Sequence, residues 1–266
     1  MAKIYTLVNQ KGGVGKTTSA INLGAFLGNY GQKVLIIDLD PQANATSSLG
    51  IDKSSVKSGT YEVLIGSAPI IPSILHNPRL KLSILPSSPA LAGAEVELLG
   101  MDNREFRLKS VIEPILDRYN YILIDCPPSL SIITINGLVA CKDGVLIPVQ
   151  CEYLALEGIG MLTQTLKRIQ NSLHPDLVVR GVILTMYDGR TRLAADVVKE
   201  VQKHFPGEVF KTIIPRSIRL AEAPSYGLPI AIYAPNSTAA QTYNDLALEL
   251  LEADGVHIPE IHEEVI

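Results

Sequence analysis

The sequence predicts an α/β protein: one doubly wound domain with a mostly parallel sheet and helices on both faces. Three observations carry that expectation. Short, predominantly apolar runs recur at Ile4–Val8, Val34–Leu39, Tyr121–Ile124 and Val145–Val149, the pattern of strands covered on both sides. Helical stretches with apolar faces at 3.6-residue spacing fall between several of these runs. A stretch rich in glycine and lysine, Asn9 to Thr18, ends the first strand and opens the first helix. In such a turn successive backbone N–H groups converge on an anion, and the helix N-terminus adds its partial positive charge.

Taken in order, Ile4–Val8 is the first strand and Thr18–Tyr30 the first helix, ended by Gly31. Val34–Leu39 is a second buried strand that delivers Asp38 and Asp40 at its carboxyl end. Residues 52–118 read poorly, with short helical or turn segments near Tyr61–Ile65 and Ala90–Leu99 and a strand at Leu82–Leu85 closed by Pro86. Tyr121–Ile124 is a strand ending in Asp125-Cys126-Pro127-Pro128. Val145–Val149, Val178–Thr185 and Val209–Ile214 continue the sheet. Between them, Glu152–Leu173 and Ala194–Phe205 read as helices, and residues 186–192 as a loop. Pro215 starts an irregular connection to Pro229, and Ala239, Tyr243, Leu246, Ala247 and Leu250 mark the core face of a closing helix.

The 266 residues are 47% hydrophobic, with few aromatic side chains and no tryptophan, which suits a core of aliphatic residues. No apolar run is long enough to cross a bilayer and no secretory pattern opens the chain, so a soluble intracellular protein is expected. Cys126, Cys141 and Cys151 lack metal-ligand spacing and read as small buried hydrophobes. The net charge of −4 is unevenly spread. Residues 160–220 hold ten basic and five acidic side chains, whereas residues 221–266 hold eight acidic and no basic ones. A locally basic segment can present a positive patch to polyanions.

The glycine loop, Lys11-Gly12-Gly13-Val14-Gly15-Lys16-Thr17-Thr18, departs from the ordinary phosphate-loop pattern. Gln10 stands where the first glycine is expected, and a second lysine, Lys11, precedes Lys16 by five residues. This is the deviant P-loop NTPase form. Lys16 fits the ammonium that reaches the β- and γ-phosphates, and Thr17 the hydroxyl that binds magnesium. Asp125, after an apolar strand, fits a carboxylate of the magnesium shell, because ligands gather at the carboxyl ends of parallel strands. Asp40, just past a strand end, can orient the attacking water. Asp38, with Asp125, fits a carboxylate that holds magnesium-bound water, the closing of a turn being the lesser alternative.

Together with Asp38-Leu39-Asp40-Pro41-Gln42 and Asp125-Cys126-Pro127-Pro128, this loop resembles that of the ParA/Soj chromosome and plasmid partition ATPases. The resemblance continues in Leu184–Thr191 and Ile214–Gly227, stretches that select the partition branch. It implies a P-loop ATPase domain over residues 1–254 and an acidic tail over 255–266, its order left open. It further implies a cytoplasmic, nucleoid-associated protein that uses ATP and Mg2+ and forms a homodimer with two sandwiched nucleotides. That dimer would bind double-stranded DNA without sequence preference, and hydrolysis stimulated by a ParB-type partner would return it to monomers. Lys11 would reach the other subunit's nucleotide, while Met186, Pro215 and Arg216 would wall the base. Arg190 and Arg219 would contact DNA, with Lys199, Lys203 and Lys211 enlarging the patch. Glu152 stays open between a ribose contact and solvent.

Two other classes share the loop. A MinD-like membrane-associated ATPase calls for a basic amphipathic C-terminal helix, and the last 46 residues contain no lysine or arginine. A metabolic ATPase or ligase of the same fold has no positive feature here, although its substrate pocket can hide in residues 52–118. An iron–sulfur electron carrier lacks a convincing second cysteine ligand.

Overall fold

The computed structural model describes residues 1–152 and 155–257. One eight-stranded sheet organises them, in the order β3-β4-β2-β5-β1-β6-β7-β8. The strands are β1 (Lys3–Leu7), β2 (Val34–Asp38), β3 (Leu75–Asn77), β4 (Leu82–Leu85), β5 (Tyr121–Asp125), β6 (Gly144–Gln150), β7 (Val179–Tyr187) and β8 (Val209–Pro215). All neighbouring pairs are parallel except β3 with β4. The expected doubly wound fold with helices on both faces is therefore observed.

Along β2, Val34 and Ile36 face one core while Leu35 and Ile37 face the other, and none is more than 2% exposed. Burial on both sides is the reason for the unbroken apolar run, each such side chain contributing about 1.5–3 kcal/mol. One face is covered by α1 (Lys16–Asn29) and the long α12 (Thr238–Ala253), packed on Tyr5, Leu7 and Leu123. The opposite face has two cores. Helices α3 (Thr60–Ile65), α5 (Leu91–Leu99) and α6 (Arg107–Ile112) serve the β2 side, and α8 (Ala155–Ser172) and α9 (Arg192–His204) the β6 side. Shorter helices α2 (Asn44–Ser48), α4 (Ile70–Ser73), α10 (Ile218–Glu222) and α11 (Ile230–Tyr233) lie in the connections.

Helix α7 (Ile132–Ala140) packs between the two cores of that face and was absent from the sequence expectation. Its Ile-Ile-Thr-Ile-Asn-Gly run is β-branched, interrupted by glycine and almost without a polar face, so neither propensity nor periodicity marks it. Gly137 is the residue that lets it sit there. A Cβ at this position would fall 2.7 Å from Sγ of Cys126, the residue that follows β5.

Two further expectations shift. Helix α1 starts at Lys16 rather than Thr18, placing Lys16 and Thr17 in its first turn. Strand β7 runs on through Tyr187, so Met186 and Tyr187 belong to the sheet rather than to the following loop. Helix α8 begins at Ala155, and the expected start at Glu152 falls beside residues 153–154, outside the described residues. Most of the acidic tail, residues 258–266, also lies outside them.

At the amino end of the sheet, α12 is latched to three strands. The Asp254 carboxylate, 2% exposed, accepts from Tyr5 Oη at 2.5 Å, Tyr121 Oη at 3.0 Å and Arg180 Nη2 at 2.9 Å. Burial and this carboxylate push both phenol groups well above their usual range. Among the described residues, no helix is long and apolar enough to cross a membrane.

Candidate functional site

The carboxyl ends of β1, β2 and β5 lie side by side, with Leu7 and Asp38 both in register with Asp125. The loop after β1 is held from two directions. Asn9 donates through Nδ2 to the Pro148 carbonyl at 2.8 Å and accepts from the Lys11 amide at 3.0 Å. From β7, Thr185 Oγ1 donates to the Val14 carbonyl at 2.8 Å. Gly13 and Gly15 adopt φ of 74° and 90°, in the left-handed region that side chains rarely enter. A Cβ on Gly12 or Gly13 would meet nothing within 4 Å, so the loop backbone opens onto a cavity of about 470 Å³. No acidic side chain occupies the first turn of α1, leaving its N-terminal field free for an anion.

Lys16 is only 7% exposed and curls back over the loop, Nζ donating to the Asn9 and Lys11 carbonyls at 3.0 and 3.2 Å. Burial pulls its ammonium below the ordinary lysine range, and the nearby Asp125 acts in the opposite direction. Among the described residues, the Lys11 ammonium has no hydrogen-bond or ion-pair partner. Thr17 Oγ1 donates to Asp125 Oδ2 at 2.7 Å, while Asp125 Oδ1 is buried without a partner among the described residues. Asp40 faces the same cavity, its Oδ1 accepting from the Gln42 amide at 2.9 Å. Asp38 is fully buried and takes a different position. Its Oδ1 accepts from the Asp40 amide, and its Oδ2 from the Thr46 amide and hydroxyl.

A second cavity of about 370 Å³ adjoins the first across Gly15, Thr18 and Met186. The structure brings Met186, Pro215 and Arg216 together on its wall, with Ile214 and Ile218 giving it an apolar character. Met186 has φ of 53°, and the β7–β8 register shifts between Leu184 and Tyr187. Such an irregularity re-aims a side chain. Arg216 Nη2 meets Glu152 Oε1 at 2.7 Å. A larger cleft of about 870 Å³ lies at the amino ends of β2 and β4 and contains none of the motif residues, so chemistry rather than size marks the site.

The basic segment is less positive locally than its composition suggests. Arg190, 87% exposed, forks onto Asp188, and Arg219 pairs with Glu222 at 3.0 Å. Arg192 lies 3.9 Å from Asp196, and Lys203 pairs with Glu200. These pairs are solvated and therefore weakly held, so a phosphate can replace the carboxylate. Residues that sequence reasoning missed are Asn9, Thr46, Ser87 and Thr185, all buried polar groups that hold loops. Only Thr185 carried a signal, as a lone polar residue ending an apolar strand.

The donor set suits a nucleotide with magnesium. One hydroxyl and one carboxylate with an unpaired buried oxygen match a hard cation that takes its other ligands from phosphate and water. Burial and the charge of neighbouring Asp38 push the Asp125 carboxyl up to about 8. Because its pKa is raised on folding from 3.8, the folded chain binds more protons than the unfolded one between those values. Its stability then falls as pH rises. In nucleotide-free protein, Asp125→Asn is expected to raise the thermal midpoint at pH 8 relative to wild type, the difference shrinking toward pH 4. A difference that does not vary with pH would contradict this.

A family model described as an AAA domain matches residues 2–179. The sporulation initiation inhibitor protein Soj of Bacillus subtilis is 50% identical over 250 residues, covering 94% of this chain and 98% of that protein. The chain belongs to the ParA/Soj family. A second ParA/Soj relative, the chromosome partitioning protein ParA of Myxococcus xanthus, is 47% identical over 255 residues, covering 96% and 89% of the two chains. Among solved structures, cobyrinic acid a,c-diamide synthase from Mycobacterium smegmatis with bound ADP and magnesium superposes with a TM-score of 0.85 at 34% identity. That match covers 97% of this ParA/Soj chain and 98% of the synthase. The fold is thus shared with a metabolic enzyme, while the higher identity lies with the partition proteins.

Proposed function

We propose that this protein is an ATP-dependent dimerisation switch that binds DNA without sequence preference and drives chromosome or plasmid segregation. The observation that carries the reading is the double-lysine loop. Lys16 is folded into its own subunit's cradle, whereas Lys11 stands at the same loop with its ammonium unpartnered among the described residues. Lys16 and the loop amides hold the β- and γ-phosphates, and Met186, Pro215 and Arg216 enclose the base. Thr17 and Asp125 hold magnesium, which when bound offsets phosphate charge. Asp38, its oxygens engaged by Asp40 and Thr46, bears on this ion only through its neighbours. Asp40 orients the water that attacks the γ-phosphate.

Lys11 reaches the nucleotide of a second copy, so hydrolysis depends on dimerisation, as it does with an arginine finger supplied in trans. Dimerisation also doubles the surface formed by Arg190 and Arg219, raising DNA affinity through avidity without a new contact within either patch. Contacts to phosphate alone give weak base discrimination and steep salt dependence. A ParB-type partner then accelerates hydrolysis and releases the cytoplasmic, nucleoid-associated dimer.

The test of the DNA surface is Arg219→Glu. With ATP and magnesium this variant should still dimerise by light scattering, yet bind duplex DNA at least about tenfold more weakly at moderate salt. DNA affinity equal to wild type would remove Arg219 from the interface.

A further inference from the structure

We infer that Thr46 and Ser87 are positioning residues for Asp40, completing with Asp38 a closed ring of buried hydrogen bonds around its backbone. The inference rests on Asp40 acting as proposed above. Asp40 lies in the connection between β2 and α2, the kind of surface segment that is ordinarily mobile. Here both of its peptide groups are fixed. Its amide donates to Asp38 Oδ1 at 3.1 Å, and its carbonyl accepts from Ser87 Oγ at 2.8 Å. The two anchors are joined through Thr46. The Thr46 hydroxyl donates to Asp38 Oδ2 at 2.7 Å and accepts from the Ser87 amide at 2.8 Å. The Thr46 amide adds a second bond to Asp38 Oδ2 at 2.8 Å. From the start of α3, Thr60 Oγ1 reaches the Asp38 carbonyl at 2.8 Å.

Asp38, Thr46, Thr60 and Ser87 are all fully buried. Water therefore does not compete for these bonds, and a broken one leaves an unpaired polar group inside the protein. The loop shape they impose is strained. Ala43 sits at φ 53°, a conformation unfavourable for a residue with a Cβ, while its amide closes a turn onto the Asp40 carbonyl at 2.8 Å. Against this rigid frame the carboxylate of Asp40 is lightly held, with Oδ1 on the Gln42 amide and Oδ2 without a partner among the described residues. A fixed backbone thus aims a carboxylate whose remaining oxygen is available. The ring's bonds join β2 and the connection after it, α2, the start of α3 and the segment after β4, apart from the lysine loop proposed to hold phosphate. Loss of the ring should therefore slow turnover without weakening nucleotide binding, since a misplacement of about 1 Å costs up to ~100-fold in rate.

The experiment uses the full chain with magnesium, γ-labelled ATP and saturating duplex DNA, comparing single-turnover hydrolysis with the dissociation constant of a fluorescent ATP analogue. Thr46→Val keeps the shape and removes the hydroxyl, and is expected to lower the rate at least tenfold with nucleotide affinity within threefold of wild type. Thr46→Ser restores the hydroxyl and should recover most of that loss. Ser87→Ala should show the same split more mildly, and it carries the test if Thr46→Val fails to fold. Wild-type turnover in both Thr46→Val and Ser87→Ala, a parallel loss of nucleotide binding, or no rescue by Thr46→Ser would overturn the inference. Asp40→Ala, assayed alongside, separates the two levels. If it hydrolyses normally, the role of Asp40 itself fails; if it alone is impaired, only the positioning ring fails.

Discussion

Asp40→Ala is expected to lower ATP turnover by about 100- to 1,000-fold while ATP-dependent association and DNA retention persist. The reason lies in the division of labour at the strand ends. The groups proposed to hold phosphate and magnesium, Lys16, the loop amides and Thr17, are built on the loop after β1 and on α1. Asp40 comes from the far side of the cavity, after β2, and makes no bond to that loop. Removing it should leave the cradle intact and delete the carboxylate proposed to align the nucleophile. A loss of that size corresponds to about 2.7–4 kcal/mol in the barrier. Phosphate release and nucleotide affinity, measured on the same preparation, check the split. Equal weakening of nucleotide binding would show that Asp40 supports the fold of the cavity instead.

The second large effect is on stability. Asp254→Ala is expected to lower the thermal midpoint by on the order of 5–10 °C, equivalent to about 2–4 kcal/mol. The substitution strands three donors at once, from Tyr5, Tyr121 and Arg180, at the end of the sheet opposite the nucleotide cavity. Because Arg180 is a quarter exposed, water compensates part of its loss, and Arg180→Ala should cost less than Asp254→Ala. Nucleotide affinity well below the melting range should not change. A midpoint within about 2 °C of wild type would show that α12 is held by its apolar face alone.

Most of the sheet was legible because β1, β2, β5 and β6 are buried on both faces, which writes continuous aliphatic runs into the sequence. The nucleotide loop was legible for a different reason: a backbone that must adopt φ of 74° and 90° calls for glycine at Gly13 and Gly15. What escaped has neither signature. Helix α7 is nearly all apolar, and β3 is exposed at every residue, so neither shows an alternation of faces. Ser87 follows β4 in the poorly read region and meets Thr46 and Asp40 only in space. The sequence assigned Asp38 to the magnesium shell in preference to a turn. The turn-holding bonds to Asp40 and Thr46 were invisible before the loop was built. Counting charges likewise found the basic segment but not the carboxylates that pair with Arg190 and Arg219, because pairing depends on which side chains share a turn.

The central claim is that nucleotide state sets DNA affinity through a dimer. Retention of duplex DNA by the wild-type chain, measured with ATP, with ADP and without nucleotide over a salt series, tests it most directly. Retention should be strong only with ATP and magnesium, should fall steeply with salt, and should lose its nucleotide dependence in Lys16→Ala. Equal retention with ATP and ADP by the wild type would contradict the switch.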